Sequence, residues 1–373
     1  MGMDLSLTEH QEMLKGTASD FVRHEAPSHQ ITEWARQGVA FVPELWRQAA
    51  TMGWLGMLTP ADYGGSDVSL TDAAVVFEQL GRGPVPGPFF NSGVLVPLLL
   101  MEAGNHEQQA QYLPALANGS RIATLALNEP VHKHGPDWVK MEASRKNGDY
   151  VINGTKLFIQ DAEAADTLVT MVKTDGGLTL LLVDKNAPGV SVRRIEGFMS
   201  SACEVNFESV SVPGSAVLGK EGDGWEVLER AAHKAIPVMC ALQVGGCQEV
   251  FDFTAEYTRT RVVFSQPIGR FQRVQDHVIE LSLQMDGARW TTNQALWAVD
   301  SGHEEAKAMV HLAKAKASEG YCRACDFSLE VHAGVGTDKA HPLYPHLLMS
   351  RSLYPYLGDP RYHKRAMADA WDL

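Results

Sequence analysis

The chain has 373 residues, of which 45% are hydrophobic and 21% charged, and a formal net charge of −13. That length accommodates two or three domains with a sizeable core, and the acidic balance opposes general nucleic-acid or anionic-membrane binding, although a local basic patch could still hold a phosphorylated ligand. No run of about 18 uncharged apolar residues marks a membrane span. The start "MGMDLSLTEHQ" lacks a secretory pattern, and five cysteines, an odd number, fit reduced thiols in a cytoplasm.

Residues 1–120 read as an all-helical domain. "TEHQEMLKGTASDFVRHEA" places Leu14, Ala18, Phe21 and Val22 on one face, and "DAAVVFEQLGR" and "EQQAQYLPALANG" repeat the helical period, the last stopping at Gly119. Between them "LGRGPVPGPFFNSG" is a Pro/Gly-rich turn entering a helix. Residues 121–222 change to β-rich runs, "YVINGTKLFI", "DTLVTMVKTDGGLTLLLV" and "CEVNFESVSVP". Asn-Gly and Asp-Gly-Gly there are hairpin chemistry, so a middle β-sandwich or barrel is expected. Residues 223–373 return to long apolar-striped helices with short loops, an antiparallel four-helix bundle. The fold class is therefore α+β in the order helical, β, helical bundle. Cys322 and Cys325 have redox or zinc spacing but no second ligand pair, which favours buried thiols. "HEEAKAMVHLAKAKA" and the "HKR" at His363 to Arg365 read as solvated helix faces.

This order, together with four segments, resembles the acyl-CoA dehydrogenase family of flavoproteins. "RTRVVFSQPIGRFQ" is similar to the family's Arg-x-x-Phe-Gly-x-Pro-(four residues)-Gln, and "EVHAGVG" to its Gln-x-x-Gly-Gly-x-Gly. "LALNEP" and "INGTKLFIQDA" resemble its Thr-Glu-Pro and Asn-Gly-x-Lys-x-x-Ile-Thr segments. The resemblance implies FAD as cofactor, with Arg261, Phe264, Phe271, Gln272, Glu330, Gly334 and Gly336 reaching the FAD of a neighbouring subunit. Arg261 is a permanent fork of donors suited to a pyrophosphate, and Gly334 and Gly336 would admit close backbone approach. Asn128 and Gln160 stand where the family has flavin-bonding threonines; both amides can still donate.

The reaction implied is α,β-dehydrogenation of an acyl-CoA thioester, which needs a base for the α proton. The family's two positions for that glutamate fall on Leu357 and Ala235, so no catalytic residue is assigned. Residues contributed to a neighbour are kept, with Ser265 and Glu330 as departures, while those of the chain's own centre are changed. That asymmetry suggests the partner subunit of a heteromeric acyl-CoA dehydrogenase, completing the FAD site of a base-bearing second chain; bulky acyl groups, steroid side chains included, fall within the resemblance. The alternatives are a homo-oligomer using an unusual base (His134, Asp137 or Asp359) and a flavin-free scaffold. An electron-transfer flavoprotein is the implied electron acceptor; no metal is expected.

Overall fold

A computed structural model of the chain describes residues 6–131, 133–197 and 201–372. Six helices come first: α1 (Glu9–Glu25), α2 (Ser28–Gln37), α3 (Pro43–Thr51), α4 (Leu70–Arg82), α5 (Val96–Ala103) and α6 (His106–Ala117). The first begins at a capping box, in which the Thr8 hydroxyl accepts from Gln11 N and the Gln11 side chain accepts from Thr8 N. Its buried face carries Ala18 and Phe21. A π-helical turn, Asn91–Leu95, precedes α5 where the Pro/Gly-rich stretch ends, and its five residues are all buried.

Eight strands follow: β1 (Ala123–Ala126), β2 (Ala143–Lys146), β3 (Asp149–Gln160), β4 (Thr167–Thr174), β5 (Gly177–Asp184), β6 (Val190–Arg194), β7 (Ala202–Val212) and β8 (Val217–Leu218). They form two four-stranded sheets, ordered β1-β4-β5-β8 and β2-β3-β7-β6. Asp175-Gly176 makes the β4–β5 hairpin as expected. Asn153-Gly154 does not turn the chain. It lies inside β3 at a shift in register against β7, with Gly154 at φ +143° and the Asn153 carboxamide oxygen accepting from Ser209 N. The pair supplies a bulge because β7 continues along both halves of β3. The hairpin turn instead uses Asn147-Gly148, at φ +54° and +95°, between β2 and β3.

The last third is helical: α7 (Gly224–Thr260), a two-residue hairpin of β9 (Val262–Val263) and β10 (Gln266–Pro267), then α8 (Gln272–Asp300), α9 (Ala306–His332), α10 (Leu343–Leu353) and α11 (Pro360–Ala370). Cys247 and Val250 of α7, Leu281 and Met285 of α8, and Tyr321, Ala324 and Cys325 of α9 share one buried cluster with Leu343 of α10. All five cysteines are buried and free. Two compact units result: residues up to Val39 with Leu70–Val85 and Ile236 onward, and Ala40–Ser69 with Pro86–Ala235. Among the described residues no helix is long and apolar enough to cross a membrane.

Two residues expected on solvated faces are interior. Lys314 is fully buried, because its ammonium caps the C-terminal end of α10, donating to Leu353 O at 2.8 Å and to Ser318 Oγ at 2.7 Å. His363 is fully buried because its ring ties α11 to the preceding turn.

Candidate functional site

The residues matched to a neighbour-gripping role gather at one end of the helical unit. Arg261 follows the last residue of α7, and its carbonyl accepts from Ile268 N, closing the β9–β10 hairpin. The two residues at the tip, Phe264 and Ser265, both have positive φ, +50° and +61°, as a two-residue turn of that hand requires. The turn thereby holds the Phe264 ring outward, 87% exposed, with Phe271 edge-on at 6.4 Å between centroids. An aromatic displayed this way has no folding role in the chain that carries it.

Gln272 opens α8, whose first turn has neither a side-chain cap nor an acidic residue. Its N–H groups and dipole therefore favour an anion. Arg261 is exposed and has no ion pair among the described residues. This donor set, an unpaired guanidinium beside an uncapped helix start and a displayed aromatic, fits the pyrophosphate and planar rings of FAD. The second segment lies at the same end, since Tyr257 of α7 stacks on His332 of α9 at 4.3 Å. Glu330 is exposed on the last turn of α9, and Ala333–Thr337 form a short 3-10 turn. Gly334 is open on the side where a Cβ would point. Gly336 is not open, contrary to expectation: a Cβ there would meet His332 Cβ at 2.9 Å, so this glycine serves packing against α9.

Sequence reasoning missed Ala333. It occupies the first glycine of the family segment and adopts φ +51°, ψ −135°, a conformation that suits glycine.

The changed positions look different. Leu357 is 4% exposed and sits at φ +56° before Gly358. Its carbonyl accepts from His363 Nε2 at 2.9 Å, and His363 Nδ1 lies 2.9 Å from His311 Nδ1. In the neutral pair His363 therefore donates through Nε2 and accepts from His311. Below this turn stands Lys314, whose ammonium burial pushes down to about 8. Lys314 and His332 are separated along α9 by about 27 Å at the α-helical rise. Leu357 and the Arg261 group thus do not form one site within one chain. Ala235, fully buried on α7, offers no titratable group. Asp359 is spent as the N-cap of α11, accepting from Tyr362 N at 2.8 Å.

In the β-rich unit, Asn128 is half-buried and its main-chain oxygen accepts from Leu157 N. Gln160 is 8% exposed at the end of β3, past a bulge at which Phe158 takes φ +57°. The neighbouring Glu129 and Lys156 make a buried ion pair of 2.9 Å, which explains why both stand in the quoted segments. Glu129 also accepts from Lys140 N and Met141 N, so it is a structural anchor rather than a base. The space beside Asn128 is about 10 Å³, room for one water. Lys133 lies 4.0 Å over the Trp138 ring, and His134 packs on Trp225 at 5.5 Å. Asp137 is exposed, and His132 lies outside the described residues. No three His, Cys, Asp or Glu among the described residues group as metal ligands.

Comparison with known proteins establishes the family. The family profiles for the N-terminal, middle and C-terminal domains of acyl-CoA dehydrogenase match residues 8–120, 124–210 and 222–371. Mitochondrial isovaleryl-CoA dehydrogenase of Pongo abelii is 32% identical over 81% of this chain and 74% of its own length. PigA with FAD and proline superposes with a TM-score of 0.89 at 26% identity, over 100% of both chains. The ChsE4-ChsE5 complex from Mycobacterium tuberculosis gives 0.89 at 27% identity, over 99% of both. The chain belongs to the acyl-CoA dehydrogenase family of oxidoreductases.

Proposed function

We propose that this chain is the FAD-completing subunit of a heteromeric acyl-CoA dehydrogenase, whose second subunit carries the base. FAD, when bound, supplies the hydride acceptor for the β carbon of an acyl-CoA thioester. The chain's own part is to bind and orient: Arg261 and the start of α8 neutralise the pyrophosphate, and Phe264 and the Gly334 turn cover the nucleotide. Gln272 adds a side-chain amide at the same place.

One observation carries this reading. The gripping end is exposed, cationic and held in strained turns, whereas the two base positions, Leu357 and Ala235, are buried and apolar. Without a base the α-proton step loses roughly 10²–10⁴-fold. The structurally similar ChsE4-ChsE5 assembly is itself a complex of two chains. The bulky class of acyl group and an electron-transfer flavoprotein as acceptor belong to this proposal as its substrate and electron sink.

Purification decides it. Alone, the chain should carry little flavin and leave added FAD oxidised in the presence of acyl-CoA. Co-expressed with a glutamate-bearing family member it should yield a yellow, active complex, and Arg261→Ala should lower the FAD content of that complex. Full FAD loading and acyl-CoA-driven flavin bleaching by the chain alone would refute the proposal.

A further inference from the structure

The C-terminal end of α4 opens on a cavity of about 410 Å³ that the proposed reaction does not use. Residues of α1, α2, α4, α7 and α10 line it, all within one compact unit. Val22, Ile31 and Phe253 give it apolar walls. Two polar groups on its lining lack a hydrogen-bond partner. Gln79 is 6% exposed, and its carboxamide makes no hydrogen bond among the described residues. His346 is 3% exposed; its Nδ1 lies 2.8 Å from the Tyr321 hydroxyl, and its other ring nitrogen has no partner among the described residues.

Neither group is sealed off from the cavity, so each is free to take a ligand group there in place of water as its partner. The charges at the mouth restrict what that partner is. Arg82 is held by Glu249 at 2.9 Å and Asp252 at 2.7 Å, and Arg23 by Asp20. No cation is left over for an anionic ligand. Burial pushes the His346 imidazole down to about 3, so it is neutral in the working range.

We propose that this cavity binds an uncharged, largely apolar small molecule through one carbonyl or hydroxyl group, held by the Gln79 amide and the free nitrogen of His346 against Phe253, Val22 and Ile31. The volume is that of an ordinary small-molecule site.

Three bicyclic probes of one size test the idea on the full chain by titration calorimetry and ligand-observed saturation-transfer NMR: 1-tetralone, tetralin and tetralin-1-carboxylate. Tetralone should bind about tenfold more tightly than tetralin, and the carboxylate should not bind. Gln79→Leu, close in volume, should reverse the order of ketone and hydrocarbon. Ser19→Trp, from a half-buried position on the cavity wall, should abolish binding of every probe, and decides the matter if Gln79→Leu fails to fold. No binding of tetralone, equal affinities for tetralone and tetralin, or tetralone binding that survives Ser19→Trp would overturn the proposal.

Discussion

Ala333 and Ser265 hold glycine's backbone conformation while carrying a side chain, at two of the positions where the family pattern has glycine. A β-carbon in left-handed space costs about 1–2 kcal/mol, partly offset by the freedom glycine gains in the unfolded chain. Ala333→Gly and Ser265→Gly should therefore each raise stability by about 0.5–1.5 kcal/mol, measured by urea denaturation. Asp161 gives a pH-dependent counterpart. It is buried beside Asn91 at 3.3 Å, and desolvation pushes its carboxyl up to about 6 from 3.8. The folded state thus binds more protons between those values, so its stability falls as pH rises from 3.8 through about 6 and the loss is complete above that. Asp161→Asn should gain about 1–3 kcal/mol near pH 7.5 and nothing near pH 3.5, read from melting temperatures at the two pH values. The apolar character of Leu357 was legible in the sequence. Its positive φ and its bond to His363 were not, because both depend on how α11 returns to α9.

At the scale of elements, α4 and α7 cross backbone to backbone. A Cβ on Gly81 would lie 1.9 Å from Leu242 O, and one on Gly245 would lie 1.8 Å from Glu78 O. Gly245→Ala should force the helices apart and cost more than about 4 kcal/mol, or prevent folding. Gly287 on α8 is the control, since a Cβ there meets nothing nearer than Lys316 Cε at 3.9 Å. Gly287→Ala should stabilise by about 0.5–1 kcal/mol in the same denaturation assay. Apolar stripes disclosed the long helices to sequence reasoning, since periodicity is local. The crossing glycines did not announce themselves, because their meaning lies on the opposite helix. Asn153-Gly154 misled for a related reason: the dipeptide permits a turn or a bulge, and only the continuing partner strand selects between them.

For the whole molecule, the order of helical, β and helical segments was readable from composition and period, and the residues proposed to grip FAD were assigned from the family resemblance. The lining beside Asn128 was not readable, since there the Trp225 ring meets His134 across a long sequence interval. Burial also shapes the response of the fold to alkali. The thiols of Cys203 and Cys240 are pushed up to about 11 and about 12, and those of Cys247, Cys322 and Cys325 are likewise raised from 9.0. Unfolded thiols lose protons that the folded ones keep, so stability is lost as pH rises above about 9. Lys156 and Lys314, both pushed down to about 8, act in the opposite sense between that value and 10.5 but are outnumbered. Reducing urea titrations should show a lower midpoint near pH 10.5 than near pH 9.

The placement of those thiols has one more consequence. Thiolate is the nucleophile, so an alkylating reagent reaches a buried cysteine only when the structure around it breathes. Cys203 belongs to the β-rich unit, whereas Cys240, Cys247, Cys322 and Cys325 belong to the helical one. Timed iodoacetamide labelling, read peptide by peptide in a mass spectrometer, would thus clock the opening of each half of the protein with no engineered label.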